Sequence, residues 1–451
     1  MASTEMGSAN KSVVSIADLP TELLSYIFIQ GLPPAAEVSS QPTHRYQANI
    51  VSTCSFWRDI ALRTPALWCR IFVGLTKSDL QFDSTDPGHL TFEERLARAG
   101  IHPLHLYVDI APTASQWFSW QSDQRMSSVV QSILPRVSQL TVVQFPDYFF
   151  PSSSHIFRID SIPLLHTLTL IKTDLNIRGI NTSTAPPPIP NDSLQHLFPP
   201  SLKSFIACSP QDSLPTIISR LYEQCVELDH LCIEKGYHSF FDVPLPPNIR
   251  TFEFSTNYGG PFAISPFSLN PHVVHVSIKC FNVSFRQQHS DLTLPDLSAL
   301  RTLSLEVSEQ SALEVARVLE RAENLRALHI SWDVLCSAFS LMHTRLGRTA
   351  RGPAFRPKLG ALRLLRIAFT MHLPYTLDEN TITTVLLAPL SRILPFVPDA
   401  HIEWCIPLHQ TASGELLSRY PCGRSLIRYN PPESPKLSHM LWTEADNASF
   451  A

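Results

Sequence analysis

Residues 299–306 read ALRTLSLE, residues 324–331 read NLRALHIS and residues 361–368 read ALRLLRIA. Each carries three apolar side chains at one spacing: Leu300, Leu303 and Leu305; Leu325, Leu328 and Ile330; Leu362, Leu365 and Ile367. The last two of each trio lie two residues apart, which puts both on one face of a β-strand. The same spacing occurs at Val137-Leu140-Val142, Leu165-Leu168-Leu170, Leu228-Leu231-Ile233, Ile249-Phe252-Phe254 and Val273-Val276-Ile278. Weaker copies stand at Pro103-Leu106-Val108 and Leu202-Phe205-Ala207. Several intervals hold apolar residues at helical spacing instead: Leu214, Ile217, Ile218 and Leu221; Ala312, Val315, Ala316, Leu319 and Ala322; Val385, Leu386, Leu390 and Ile393. Strands alternating with helices predict an α/β fold with parallel connections.

The repeated spacing matches the strand half of a leucine-rich repeat. Phe252, Val276, Leu303 and Leu328 follow one another at intervals of 24, 27 and 25 residues, near the period of that family, whereas other intervals stretch to 37. The expectation is an irregular leucine-rich-repeat-like solenoid over residues 101–410, interrupted by Pro-rich loops at 146–163 and 184–200 and closed by a cap or tail over 411–451. Since side chains alternate along a strand, the residues between the apolar ones face the other way, toward a binding surface. Among them are Cys232, Glu234, Glu253, Lys279, Glu306, His329 and Arg366.

Residues 18–28 read DLPTELLSYIF. Pro20 suits a first helical position and Glu22 the first turn, where the helix dipole favours negative charge. Leu23/Ile27 and Leu24/Phe28 are two i,i+4 pairs on one broad apolar face. A second helical pattern runs through Ile50, Val51, Cys54, Trp57, Ile60 and Ala61 and stops at Thr64-Pro65, because the residue before proline leaves the helical region. Leu67 and Trp68 follow.

This ordered set, LP-x-E-LL-x-x-IF, C-x-x-W-R-x-I-A and T-P-x-LW, resembles the F-box-like domains of mushroom-forming fungi over residues 16–73. The resemblance implies a small all-helical module at residues 13–73, after a disordered stretch at 1–12 and before a helix-containing linker at 74–100. It implies docking on the Skp-type adaptor of a cullin–RING ubiquitin ligase, with Leu19, Pro20, Leu23 and Ile27 facing the adaptor. Cys54, Trp57 and Ile60 would complete that surface or pack beneath it. One departure is the Pro- and Ser-rich stretch of about fifteen residues at 31–45, where a compact F-box has a tight connection.

Composition narrows the remaining classes. Hydrophobic residues are 44% and charged residues 16% of the 451, a globular balance. A net charge of -4 asks for neither nucleic acid nor an anionic membrane as partner. With 38 Pro and 14 Gly, glycine-built phosphate cradles are disfavoured. Nine scattered Cys without a C-x-x-C pair, a polar opening stretch and no long apolar run predict reduced thiols in the cytoplasm or nucleus.

Motifs for nucleotide binding, zinc proteolysis, ester hydrolysis and kinase chemistry are not found, so no catalytic residue, metal or cofactor is expected. His102/His105 and His272/His275 have metal-like spacing, but in strands i and i+3 point to opposite faces. Cys225, His230 and Cys232 lack an evident fourth ligand. Between Asp333 and Asp378 no acid occurs while seven basic residues do, among them Arg348, Arg351 and Arg366. These three, with His329 and Glu306, are candidate contacts to an acidic or phosphorylated segment of a target protein. The expected function is a non-catalytic substrate-recognition adaptor of a ubiquitin ligase, and the alternative is a ligase-independent protein-binding repeat scaffold.

Overall fold

The computed structural model describes residue 16 and residues 19–33, 40–74, 92–109, 131–143, 162–171, 198–208, 214–234, 245–256, 271–280, 297–307, 309, 312–348, 359–368, 384, 388–397, 399–407 and 425–430. Its contacts divide the chain into two compact units, Met1–Gln144 and Phe145–Ala451.

In the first unit, α1 (Thr21–Gln30), α2 (Ser40–Thr53) and α3 (Ser55–Leu62) precede a 3-10 turn at Pro65–Trp68. Pro20 sits one position ahead of the helix, at its N-cap. The second helical pattern is two helices rather than one. Cys54 is extended between α2 and α3, and its Sγ accepts the Trp57 backbone N–H at 3.4 Å, capping α3. α2 also begins earlier than its apolar pattern indicates, at Ser40, with Pro42 in its first turn where a missing N–H costs no hydrogen bond. That shortens the connection from α1 expected over residues 31–45; residues 34–39 lie outside the described set.

Directly after the turn comes β1 (Arg70–Gly74), parallel to β2 (Leu104–Asp109), which is parallel to β3 (Val137–Val143). α4 (Phe92–Ala99) lies between β1 and β2 in the chain. Here the expected architecture is corrected. The N-terminal region is not an all-helical module, because Ile71, Phe72 and Val73 form a strand within it that joins a parallel sheet. A run of β-branched and aromatic residues favours this pleated, half-buried setting. An all-helical reading of residues 13–73 leaves this strand out.

Among the described residues the second unit holds ten parallel strands paired in chain order: β4 (Thr167–Ile171), β5 (Ser204–Cys208), β6 (His230–Glu234), β7 (Thr251–Thr256), β8 (His275–Cys280), β9 (Thr302–Glu306), β10 (Ala327–Ser331), β11 (Leu364–Ala368), β12 (His401–Pro407) and β13 (Ser425–Asn430). The last strand falls in the stretch expected to be a cap or tail. The register aligns the apolar spacing into continuous buried rows, for instance Phe252, Val276, Leu303, Leu328 and Leu365.

The expected solenoid is corrected too: this is an α/β fold built on an all-parallel sheet. Its crossovers are unequal. α5 (Leu214–Gln224), α6 (Ala312–Arg321), α7 (Trp332–Arg348) and α8 (Ala388–Ile393) join some strands, while the described residues between β7 and β8 include no helix. The apolar-x-x-apolar-x-apolar spacing specifies a buried strand and the turn leading into it. It does not specify what crosses back. α7 takes up the first part of the acid-free basic stretch after Asp333, with Val334, Leu335, Ala338, Phe339 and Met342 buried.

Leu328 is 1% exposed in the middle of its row. Leu328→Ala should lower unfolding free energy by about 3 kcal/mol, within the usual range for a buried leucine, as read by urea denaturation.

Candidate functional site

Two surfaces collect the candidate residues, one in each unit. In the first unit, α1 carries more apolar side chains than one face can bury. Leu24 and Phe28 are sealed inside, at 0% and 2% exposure. Leu23 and Ile27, the other i,i+4 pair, are 44% and 41% exposed, and Tyr26 beside them 59%. α3 adds Phe56 at 37%.

The inner side is fixed by polar bonds to backbone. Gln47 Nε2 donates to Leu67 O at 2.7 Å, Trp68 Nε1 to Ala61 O at 2.8 Å, and Tyr46 Oη to Phe28 O at 3.1 Å. Arg98 lies over the Trp68 ring at 4.9 Å, and Trp57 packs on Phe28 with ring centroids 5.1 Å apart. Of the residues the resemblance singles out, Pro20, Leu23, Ile27 and Cys54 are exposed, Leu19 and Trp57 half-buried, and Ile60 buried. Tyr26 and Phe56 were not singled out. Their signal was an apolar count on these short helices too large for one buried stripe.

In the second unit, the residues between the apolar rows form a polar sheet face. Cys232, Glu253, Ser277, Ser304, His329, Arg366 and Glu403 are one cross-strand row. From β5 to β8 the polar face is largely half-buried. From β9 to β12 the row is sealed: Ser304, His329, Arg366 and Glu403 are all 5% exposed or less. Charge here is handled by pairing. Arg366 Nε donates to Glu403 Oε2 at 2.6 Å, and Lys279 Nζ meets Glu306 Oε2 at 2.7 Å.

The target-contact expectations are corrected by this burial. Arg366 and His329 are sealed and cannot meet a partner's carboxylate or phosphate from the surface. Glu306, half-buried, is already occupied by Lys279. Arg348 ends α7, but its side chain lies outside the described residues, as does all of Arg351.

Hydroxyl–imidazole pairs recur across neighbouring strands. Ser204 Oγ and His230 Nδ1 are 2.7 Å apart, Thr302 Oγ1 and His275 Nδ1 2.6 Å, and Ser304 Oγ and His329 Nδ1 3.0 Å. In the first unit Thr141 Oγ1 and His105 Nε2 are 2.9 Å apart. His230 Nε2 also lies 3.3 Å from Glu253 Oε1, which gives a Ser–His–Glu line. Its serine sits in a strand whose own N–H donates to His166 O at 2.9 Å, so that donor does not serve an oxyanion. Three further pairs of the same kind make cross-strand bracing the economical reading. Among the described residues no group of three or more His, Cys, Asp or Glu gathers as a metal would need. Burial pushes His105 down to about 3 and His329 to about 4, and lowers His275.

No protein-family model matches the chain. No curated protein matches it either. No helix among the described residues is long and apolar enough to cross a membrane.

Two measurements check this geometry. Glu403→Ala removes the carboxylate that neutralises the buried Arg366 and should destabilise by about 3–5 kcal/mol. An Arg366→Met/Glu403→Leu double variant should recover most of it, and urea midpoints would show both. For His329, the folded pKa of about 4 lies below the unfolded value of about 6.5. The unfolded chain therefore binds more protons between those values, and stability falls as pH falls through that window. By linkage this one group accounts for about 2 kcal/mol of loss between pH 7 and pH 5. His329→Gln should show a pH dependence flatter by that amount.

Proposed function

We propose that the chain is a substrate-recognition adaptor of a cullin–RING ubiquitin ligase, engaging a Skp-type adaptor through α1 and α3 and a target protein through its sheet-bearing second unit. The observation that supports this reading is the outward pair Leu23 and Ile27, with Tyr26 and Phe56, on helices whose inward residues are already satisfied. Large apolar side chains held in water on otherwise well-packed helices favour burial against a partner. Leu23 and Ile27 are among the positions that the F-box resemblance assigns to adaptor contact.

The chain's part in such a reaction is proximity. Holding a lysine-bearing protein beside a charged ubiquitin-conjugating enzyme raises effective concentration without chemistry by the holder. Cytoplasmic or nuclear residence belongs to the same proposal.

The test is affinity purification of the full chain from cells that contain the ligase core, beside a Leu23→Asp/Ile27→Asp variant. Both changes lie on the exposed face of α1 and leave Leu24 and Phe28 in place. Wild type should retain the Skp-type adaptor and the cullin. The variant should lose about 3 kcal/mol, roughly a hundred-fold in affinity, with its urea midpoint unchanged. Neither version retaining the adaptor would remove the ligase half and leave a ligase-independent binding scaffold.

A further inference from the structure

From β5 to β11 the residue immediately before each strand belongs to a ladder of its own. The Asp229 N–H donates to Lys203 O at 3.0 Å, Arg250 to Asp229 at 2.8 Å, Val274 to Arg250 at 2.8 Å, Arg301 to Val274 at 2.8 Å, Arg326 to Arg301 at 2.8 Å and Arg363 to Arg326 at 2.7 Å. From β7 to β11 this row contains four arginines, one valine and no acid. Neighbouring strands stand about 4.8 Å apart, so Arg301, Arg326 and Arg363 start from backbone positions within about 10 Å of one another. Arg250, Arg326 and Arg363 are exposed and Arg301 is half-buried.

The backbone ladder itself does not require cations here. Asp229 and Val274 occupy the equivalent position on β6 and β8 without breaking the ladder. A row of like charges opposes itself, yet it is concentrated on one edge of a chain whose net charge is -4. Arg301 is held in place, donating from Nη1 to Ser298 O at 3.0 Å and Asn324 O at 3.3 Å. Arg363 Nη1 meets Asp399 Oδ2 at 3.3 Å, but both side chains are more than half exposed, and such a pair is exchanged at little cost. Exposed acids do stand near the row among the described residues: Asp229 beside Arg250 at its start, and Glu323 in the turn ahead of β10.

We infer that this strand-start edge, Arg250 to Arg363, is the docking surface for an acidic segment of a target protein, whose carboxylates or phosphates are taken by successive guanidinium forks. Guanidinium geometry suits both anions bidentately. A single-stranded nucleic acid is the less fitting occupant. The row interleaves no aromatic side chain for bases to stack on, and the chain as a whole is negative. The inference rests on the target-binding half of the proposed function and is independent of the ligase half.

The experiment measures fluorescence anisotropy with the full chain at low salt and three labelled probes: a deca-glutamate peptide, a peptide of similar charge bearing phosphoserines, and a ten-nucleotide oligo-dT. At least one peptide should bind, more weakly as salt rises, and the two peptides separate carboxylate from phosphate as the preferred anion. Arg326→Glu/Arg363→Glu should weaken that binding by about ten-fold or more, as charge reversal at an electrostatic surface does. Lys203→Glu, in the same row but two strands before Arg250, should leave it within about two-fold. If the reversed variant fails to match the wild-type urea midpoint, Arg326→Gln/Arg363→Gln replaces it, with about three-fold weakening expected. Unchanged peptide binding in the double variant, no binding of either peptide, or tighter binding of oligo-dT would overturn the inference. No ligase component enters this assay, so its outcome is distinct from that of the adaptor purification.

Discussion

Burial of the paired apolar rows against whatever crosses behind the sheet is the constraint from which the rest of the second unit follows. Parallel strands cannot be joined by tight hairpins, so every strand is followed by a crossover that must return to the same end. One face of the sheet is therefore committed to apolar contact. Phe252, Phe254, Leu328 and Ile330 meet that demand from neighbouring register positions. The opposite face receives every intervening residue, and there the chemistry reverses. Where that face is sealed, from β9 to β12, ionic groups occur in bonded pairs such as Arg366 with Glu403, because an unpaired charge would cost several kcal/mol. Where it is half-open, hydroxyls and imidazoles brace adjacent strands at lower stakes.

The first unit obeys a related constraint with a different result. α1 is ten residues long and carries apolar side chains on more of its circumference than its neighbours cover. Leu24 and Phe28 go to the core beside Trp57, Ile60 and Trp68, and the adjacent helix face has no room there. Because α3 runs through a turn into β1, the helices that present Leu23, Ile27 and Phe56 belong to one compact unit with the strands that follow them. An outward apolar face on such a support is pre-positioned, which lowers the ordering cost of docking.

Much of the fold is legible from two residue periods. The spacing of Leu303 with Leu305, and of Leu328 with Ile330, predicts strands, and the pattern from Ala312 to Ala322 predicts α6. What those periods do not carry is how units are joined and where they stop. β1 was hidden because Leu67 and Trp68 look like the end of a helical motif, and α7 because its last turns, through Arg345 and Arg348, are basic and polar. The break at Cys54 was invisible for another reason. A cysteine keeps the i,i+3 rhythm of Val51 and Trp57 while its thiol caps a new helix. The polar sheet face was legible as alternation, but its burial from β9 to β12 was not, since exposure depends on what lies over the face and not on the strand's own pattern.

Arg363 and Arg366 put this point most sharply. They lie three residues apart in sequence, and a charge count over residues 333–378 treats them alike. Arg366 projects from within the strand and is 1% exposed against Glu403, so its charge serves the fold. Arg363 stands one residue before the strand, exposed, in a backbone ladder with Arg326, and its charge meets the exposed Asp399 in a pairing open to solvent. The difference is set by position relative to the strand's start, which the leucine spacing already marks: the residue after the first apolar position of the pattern falls on the edge, and the residue between the second and third falls on the polar face. For a parallel sheet of this kind, charge becomes informative only after each residue has been given its place in that pattern. A basic row at the edge position then speaks of a partner, while a basic residue at the interior position calls first for an acid on the next strand.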